Sequence, residues 1–408
     1  MLSYTQIKNI NIPIIFEAKN DIPIIHLQLV FKYAGRAYEG DIAGLANMFA
    51  RLLNEGSDKK FFNDLEFRAI NLSANSGFDN FSISISCLKE HFNYALKKLN
   101  LLLTKPNFDE KLLNNLKIQA LSELKAKNSD YDYLANRLLN KIVFDYKEFQ
   151  SSIYGDEKSL KNINIKNLKD FYNIYLDLSN LIIIAGGDIK LNNLKNKLSI
   201  ILNNINIGEK RKIKSFDFIA APKDELIIKE ESHQAYIYFA SDFKININDE
   251  DLYLAKMALF VLGTGGFGSR ILEEIRVKRG LAYSAYAIAD IKPTYKRIFG
   301  YLQTKNENAK MAKELIKEIF DDFITHGITQ NELELTKKFL LGSSPLAYES
   351  LEKRLNIEFD EFNKGFKIGH FKEELKKIKN VELNTINNYI KKHKEIAKLS
   401  FASVQNAK

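Results

Sequence analysis

Residues 262–287 read LGTGGFGSRILEEIRVKRGLAYSAYA. Gly263, Gly265, Gly266 and Gly268 give this stretch a loop with freedom of φ and room for close backbone approach. The loop follows a helical pattern and lacks a Gly-Lys-Ser/Thr, so it is not a phosphate loop. A dinucleotide fingerprint would need a preceding strand. The reading that remains is a loop that lets another backbone, such as a peptide, come near. Ser269 is placed to cap the helix that follows, and Gly280 to end it. Arg276, Lys278 and Arg279 suit the negative end of that helix. Tyr283 comes three residues after Gly280, on a predicted strand. Arg276 and Tyr283 can then face one cleft and donate to a carbonyl or oxyanion. Spacing alone favours a surface arginine and a half-buried strand tyrosine.

A second stretch, GLANMFARLLNEGSDKK (44–60), places Leu45, Met48, Phe49, Leu52 and Leu53 on one helical face, with Gly56 as the stop and a polar turn after it. An inverted zinc motif, His-x-x-Glu-His, puts two imidazoles on one face four residues apart, with a Glu beside them as base. Positions 47, 50 and 51 have that spacing but hold Asn47, Ala50 and Arg51. An amide, a methyl and a guanidinium make a poor zinc site, and Arg51 repels a divalent cation. Glu123, on another predicted helix, is a carboxylate that would complete a working site; alone it reads as a solvated helix residue. The histidines, 26, 91, 233, 326, 370 and 393, offer no pair on one helix face. No G-x-S-x-G elbow is present. No metal is expected in this chain.

Composition narrows the class. The 408 residues suggest two or three domains, and 45% hydrophobic content is enough for sizeable cores. The net charge of +9 is spread along the chain rather than blocked, which argues against a nucleic-acid partner. A single cysteine, Cys87, excludes an internal disulfide. No apolar run approaches the ~18 residues of a membrane span, and no secretory signal is read; a cytoplasmic location is expected.

Strand-like and helix-like segments alternate. Strands are predicted at 22–33, 81–88 and 181–189, the last running into a Gly-Gly turn, and helices at 44–56, 91–103 and 108–127. The stretch 206–224, aperiodic and containing a basic cluster and Pro222, reads as a linker. The order then restarts: a strand at 225–241, helices at 251–263 and 269–280, strands at 281–290 and 297–305, and a helix at 310–327. Domains at 1–205 and 225–408 follow, as a duplicated α+β unit.

Together the two stretches resemble the pitrilysin/insulinase-type peptidases, in the small bacterial branch akin to mitochondrial processing peptidase. Residues 263–287 look like that family's Gly-rich loop, Arg helix and Arg-Gly-Leu-x-Tyr segment; residues 44–60 look like its zinc helix, and Glu123 falls where its distal zinc-ligand Glu lies. The resemblance implies two homologous α+β domains, each an antiparallel sheet backed by helices, with two chains closing like a clamshell around peptide substrates. It also implies that a homologous partner carries the zinc while this chain supplies Arg276 and Tyr283 to the substrate carbonyl. A heterodimer is expected, with a homodimer also open. An edge strand at Ala74, Asn75, Ser76 and Gly77 is expected to hold an extended peptide by strand addition, together with the Gly-rich loop. Two other readings stay open: a stand-alone peptidase with an unrecognised metal site, and a non-enzymatic structural or peptide-binding member.

Overall fold

The computed structural model describes residues 1–57 and 60–407, with the backbone alone for Phe267. Two compact units form, and each draws on discontinuous segments. Unit 1 comprises Met1–Lys125, Ser151–Lys214 and Ala347–Asn363; unit 2 comprises Ala126–Gln150, Ser215–Leu346 and Lys364–Lys408. The division between Lys214 and Ser215 falls inside the predicted linker, where residues 209–220 have no regular structure. The simple cut into 1–205 and 225–408 is corrected, because each half of the sequence lends one helical segment to the other half's unit.

Unit 1 is built on β1 (Leu2–Ile7), β2 (Ile10–Ala18), β3 (Ile24–Lys32), β4 (Asn71–Ser76), β5 (Asn80–Leu88) and β6 (Leu181–Gly187), in the order β1-β2-β6-β3-β5-β4. Unit 2 uses β7 (Asp224–Ile228), β8 (Gln234–Asp242), β9 (Ala282–Ile291), β10 (Lys296–Lys305) and β11 (Ser400–Gln405), in the order β7-β11-β8-β10-β9. Without the extra edge strand β1, the two orders match strand for strand. The sheets are mixed rather than purely antiparallel: β2 runs parallel to β6, and β7 parallel to β11. These pairs exist because the last strand of each unit inserts between its first two long strands. The same insertion explains why 225–241 is two strands and not one. The chain must step over β11 between β7 and β8, and it does so at the polar residues 229–233.

Alternation sorts the faces. Ile25, Leu27, Leu29 and Phe31 of β3 and Phe81, Ile83, Ile85 and Cys87 of β5 point into the main core of unit 1. Helix α1 (Leu45–Asn54) adds Leu45, Met48, Phe49, Leu52 and Leu53 to that core, as its spacing predicted. The opposite face of the sheet is covered by α4, Leu351–Asn363, whose Leu355 is buried with Ile15, Val30, Ile182 and Ile184. Gly186 makes the approach possible, since a Cβ there would meet the Leu351 and Leu355 methyls at 3.0 and 3.3 Å. Gly186 and Gly187 are therefore strand residues, not the predicted turn. Arg354 also grips Glu17 of β2 through its Nε at 2.9 and 3.0 Å. In unit 2 the equivalent cover is α3, Tyr131–Val143, with Asp132 accepting from the Tyr238 hydroxyl at 3.0 Å.

Helix α4 lies far from unit 1 in sequence, so its packing is a direct test of the exchange. Leu355→Ala should cost ~2–5 kcal/mol in urea unfolding, the range for a buried leucine. Ile118→Ala, at a position 66% exposed, should change little. A Leu355 effect below ~1 kcal/mol would mean that α4 does not cover the sheet in solution.

Candidate functional site: a guanidinium in a metal position and an arginine–tyrosine pair

In unit 1 the start of α1 is set by a buried ion pair that sequence reading missed. Gly44 carries no capping side chain, and its φ is +85°. Instead the Glu39 carboxylate accepts from the Gly44 and Ala46 N–H groups at 2.7 and 2.9 Å. Arg36 pairs with Glu39 at 2.8 Å and donates to Ser151 Oγ at 2.6 Å. Burial pushes the Glu39 carboxyl up to about 7, against the pull of Arg36 and the two backbone donors. The available signal was RAYE (36–39), an arginine and a glutamate three apart just before a helix.

On α1, Asn47 and Arg51 share one face, and the structure joins them to Glu123 of α2 (Glu110–Lys127). Arg51 Nε donates to Asn47 Oδ1 at 2.8 Å, Nη1 to Glu123 Oε1 at 2.9 Å and Nη2 to Glu123 Oε2 at 2.6 Å. Glu123 is thus a partner in a bidentate ion pair and not a merely solvated residue. The Arg51 donors hold its carboxyl below the usual carboxylate range. Ala50 is buried in the core. The residues present do not fit zinc: an amide, a methyl and a guanidinium stand at 47, 50 and 51, and Arg51 already pairs with the Glu123 carboxylate. Among the described residues no group of three or more His, Cys, Asp or Glu is placed to hold a metal ion. Cys87 is a buried thiol pushed up to about 11 by burial, and so is not a poised nucleophile.

α1 ends at Gly56, φ +76°, as predicted. Of the polar turn after it, Asp58 and Lys59 lie outside the described residues. The edge strand β4 is present at the predicted place, but its backbone is not open throughout. Ala74 N–H and C=O are bonded to the Asn54 side chain, and Gly77 C=O accepts from Arg36 N–H. The expectation that all of 74–77 is free to receive a peptide is corrected on these two residues. Asn75 is exposed and Ser76 half-buried.

In unit 2 the four loop glycines divide into two pairs. A Cβ on Gly263 would stand 2.4 Å from Ala287 N, and one on Gly265 2.7 Å from Phe260 O, so these two serve internal packing. Gly266, φ +59°, and Gly268 front open space. Ser269 does not cap: its Oγ donates back to Gly266 O at 2.8 Å. The predicted helix at 269–280 is one short α-turn, Arg270–Leu272, followed by a π-turn, Glu273–Val277. Gly280 ends it at φ +61°, as expected. Lys278 and Arg279 bond to Glu274 rather than only to the helix end.

Tyr283 owes its position to an irregularity that no spacing rule displays. Leu302 pairs with Ala285 and Thr304 with Ala282, so Tyr283 and Ser284 together oppose Gln303. This is a β-bulge, a device that re-aims a side chain. The bulge lies on β9, the outer strand of its sheet, and leaves Tyr283 81% exposed. The Arg276 guanidinium sits over its ring, 4.4 Å from the centroid. The sequence pair is therefore brought together, with the guanidinium over the ring of a tyrosine exposed at the surface of unit 2.

Comparison with known proteins agrees with this architecture. Residues 15–157 match the family model for insulinase, peptidase family M16, and residues 162–340 match that for the peptidase M16 inactive domain. A Helicobacter pylori protein named as the non-peptidase homolog YmxG is 35% identical across 100% of this chain and 95% of its own length. A Bacillus subtilis protein named as an uncharacterized zinc protease, YmxG, is 26% identical over 66% of this chain and 64% of its own. The solved peptidase M16 inactive domain from Pseudomonas fluorescens shares the fold at a TM-score of 0.89 with 22% identity, covering 100% of this chain and 98% of that one. The chain belongs to the M16 family of insulinase-type peptidases, and its zinc helix has lost the zinc ligands.

Two outcomes follow from the Arg51 geometry. Arg51→Ala should cost ~1 kcal/mol at neutral pH, the upper range for a partly exposed bidentate pair. Because the folded pKa of Glu123 is depressed, this contribution is full above the ordinary carboxylate value and is lost as pH falls through the folded one. Urea unfolding of wild type and variant should therefore converge in acid. The triple substitution Asn47→His, Ala50→Glu, Arg51→His, with native Glu123, should bring zinc from near zero to about one per chain by elemental analysis.

Proposed function

We propose that this chain is the non-zinc, substrate-binding subunit of a two-chain M16 peptidase. It acts with a homologous partner that carries His-x-x-Glu-His and the zinc. The observation that carries the reading is the contrast between the two units. Unit 1 has Asn47, Ala50 and Arg51 where ligands and base are needed, with Arg51 already neutralising Glu123. Unit 2 keeps Arg276 stacked on an exposed Tyr283, and Gly266 and Gly268 of the same segment front open space. Those two side chains are donors suited to a scissile carbonyl and to the negative charge that develops on it. A single such donor is typically worth ~10²–10³ in rate. Such a pair needs no metal of its own chain. The substrates of this reading are peptides, and no nucleic acid or lipid is required; among the described residues no helix is long and apolar enough to cross a membrane.

The name of the Helicobacter pylori relative, a non-peptidase homolog, favours a chain that cleaves nothing by itself, and so also supports a second reading as a purely non-enzymatic member. One experiment separates the possibilities. The purified chain alone should hold almost no zinc and leave a fluorogenic peptide intact. Mixed with the zinc-bearing homologue from the same cell, it should support cleavage, and Arg276→Ala or Tyr283→Phe should each lower kcat by ~10²–10³ without changing assembly. Full turnover in both variants would establish the non-enzymatic reading. Stoichiometric zinc with chelator-sensitive cleavage by the chain alone would sink both.

A further inference from the structure

β4 is the outer strand of the first sheet, so one side of its backbone has no neighbouring strand. In an antiparallel pair each residue points both its N–H and its C=O at the partner strand or both away from it. Ala74, opposite Ile83, points both away. Its N–H donates to Asn54 Oδ1 at 2.7 Å and its C=O accepts from Asn54 Nδ2 at 2.9 Å. A side-chain amide carries a donor and an acceptor side by side, the same pair that one residue of an added strand presents. We propose that Asn54 is a built-in occupant of this edge: it stands where an extended peptide would add to β4 and closes unit 1 to strand addition until it swings away.

The placement of Asn54 is firm. It is the last residue of α1, and the left-handed Gly56 with Phe61 packed against it closes the helix there. Leu52 and Leu53 beside it are buried in the core, and Ala74 is 2% exposed. With the two-residue period, Leu72 and Ser76 are the neighbouring outward positions on β4. An added strand needs a run of such positions, and the middle one is taken. The inference concerns binding by this chain alone and stands apart from the subunit reading above.

The probe is a fluorescein-labelled ten-residue peptide of alternating valine and lysine, followed by anisotropy on the full-length chain. Asn54→Ala should bind it at least tenfold more tightly than wild type. Asn54→Asp, which keeps the acceptor for Ala74 N–H but loses the donor to its C=O, should gain less. Adding Ala74→Pro to Asn54→Ala should return binding to the wild-type level, because proline removes the N–H yet is tolerated on an outward edge position. Thermal unfolding identifies the variants that fold; if Asn54→Ala does not, Asn54→Asp against wild type decides. Equal binding by wild type and the folded Asn54 variants would overturn the proposal, as would gained binding that survives Ala74→Pro.

Discussion

A single guanidinium carries the central constraint of this molecule. Glu123 is a partly exposed carboxylate directed at the polar face of α1, and a cation opposite it favours its charged form. Where a metal would supply that charge, Arg51 supplies it, with Asn47 steadying its Nε. The link between α1 and α2 is thereby kept while the electrophile is given up. A guanidinium held by Asn47 Oδ1 and both Glu123 oxygens offers no coordination position for water or substrate.

The two units share one topology and put it to different uses. In unit 1 the polar groups are satisfied internally: Arg51 by Glu123, the Ala74 backbone by Asn54, and the start of α1 by Glu39. In unit 2 the corresponding outer strand carries a bulge, and the bulge turns Tyr283 outward under Arg276. Glu274 binds the neighbouring Lys278 and Arg279, so the positive charge of this turn is partly neutralised. The two outer strands are equivalent in topology, and they differ in what their side chains do: Asn54 bonds the backbone of one, and a bulge exposes Tyr283 on the other.

Much of this was legible in the order of residues. The α1 face, the strand alternation of β3 and β5, the stop at Gly56 and the restart after residue 224 are local patterns, and local sterics and hydrophobic periodicity decide them. The residues Asn47, Ala50 and Arg51 were equally plain, and the family resemblance marked them as the positions of a His-x-x-Glu-His motif. The Arg276–Tyr283 pair was visible as a spacing but not as a contact. Its geometry depends on a π-turn and a bulge, which arise from register against β10 and not from the residues between them. The reading of Ser269 as a cap failed for a related reason: its hydroxyl found the Gly266 carbonyl once the loop had folded back.

What the sequence determined by itself was therefore the class of elements and their duplicated order, since each is written within a helical turn or a strand. Tertiary structure decided where the long-range partners went. Only packing brought Leu355 onto Val30 and Ile182, inserted β6 and β11 between earlier strands, and set Glu123 on Arg51 and Asn54 on Ala74. The last two contacts join residues 72 and 20 positions apart. No local pattern encodes such pairings, because burial of apolar faces and satisfaction of polar edges are settled by the whole chain at once.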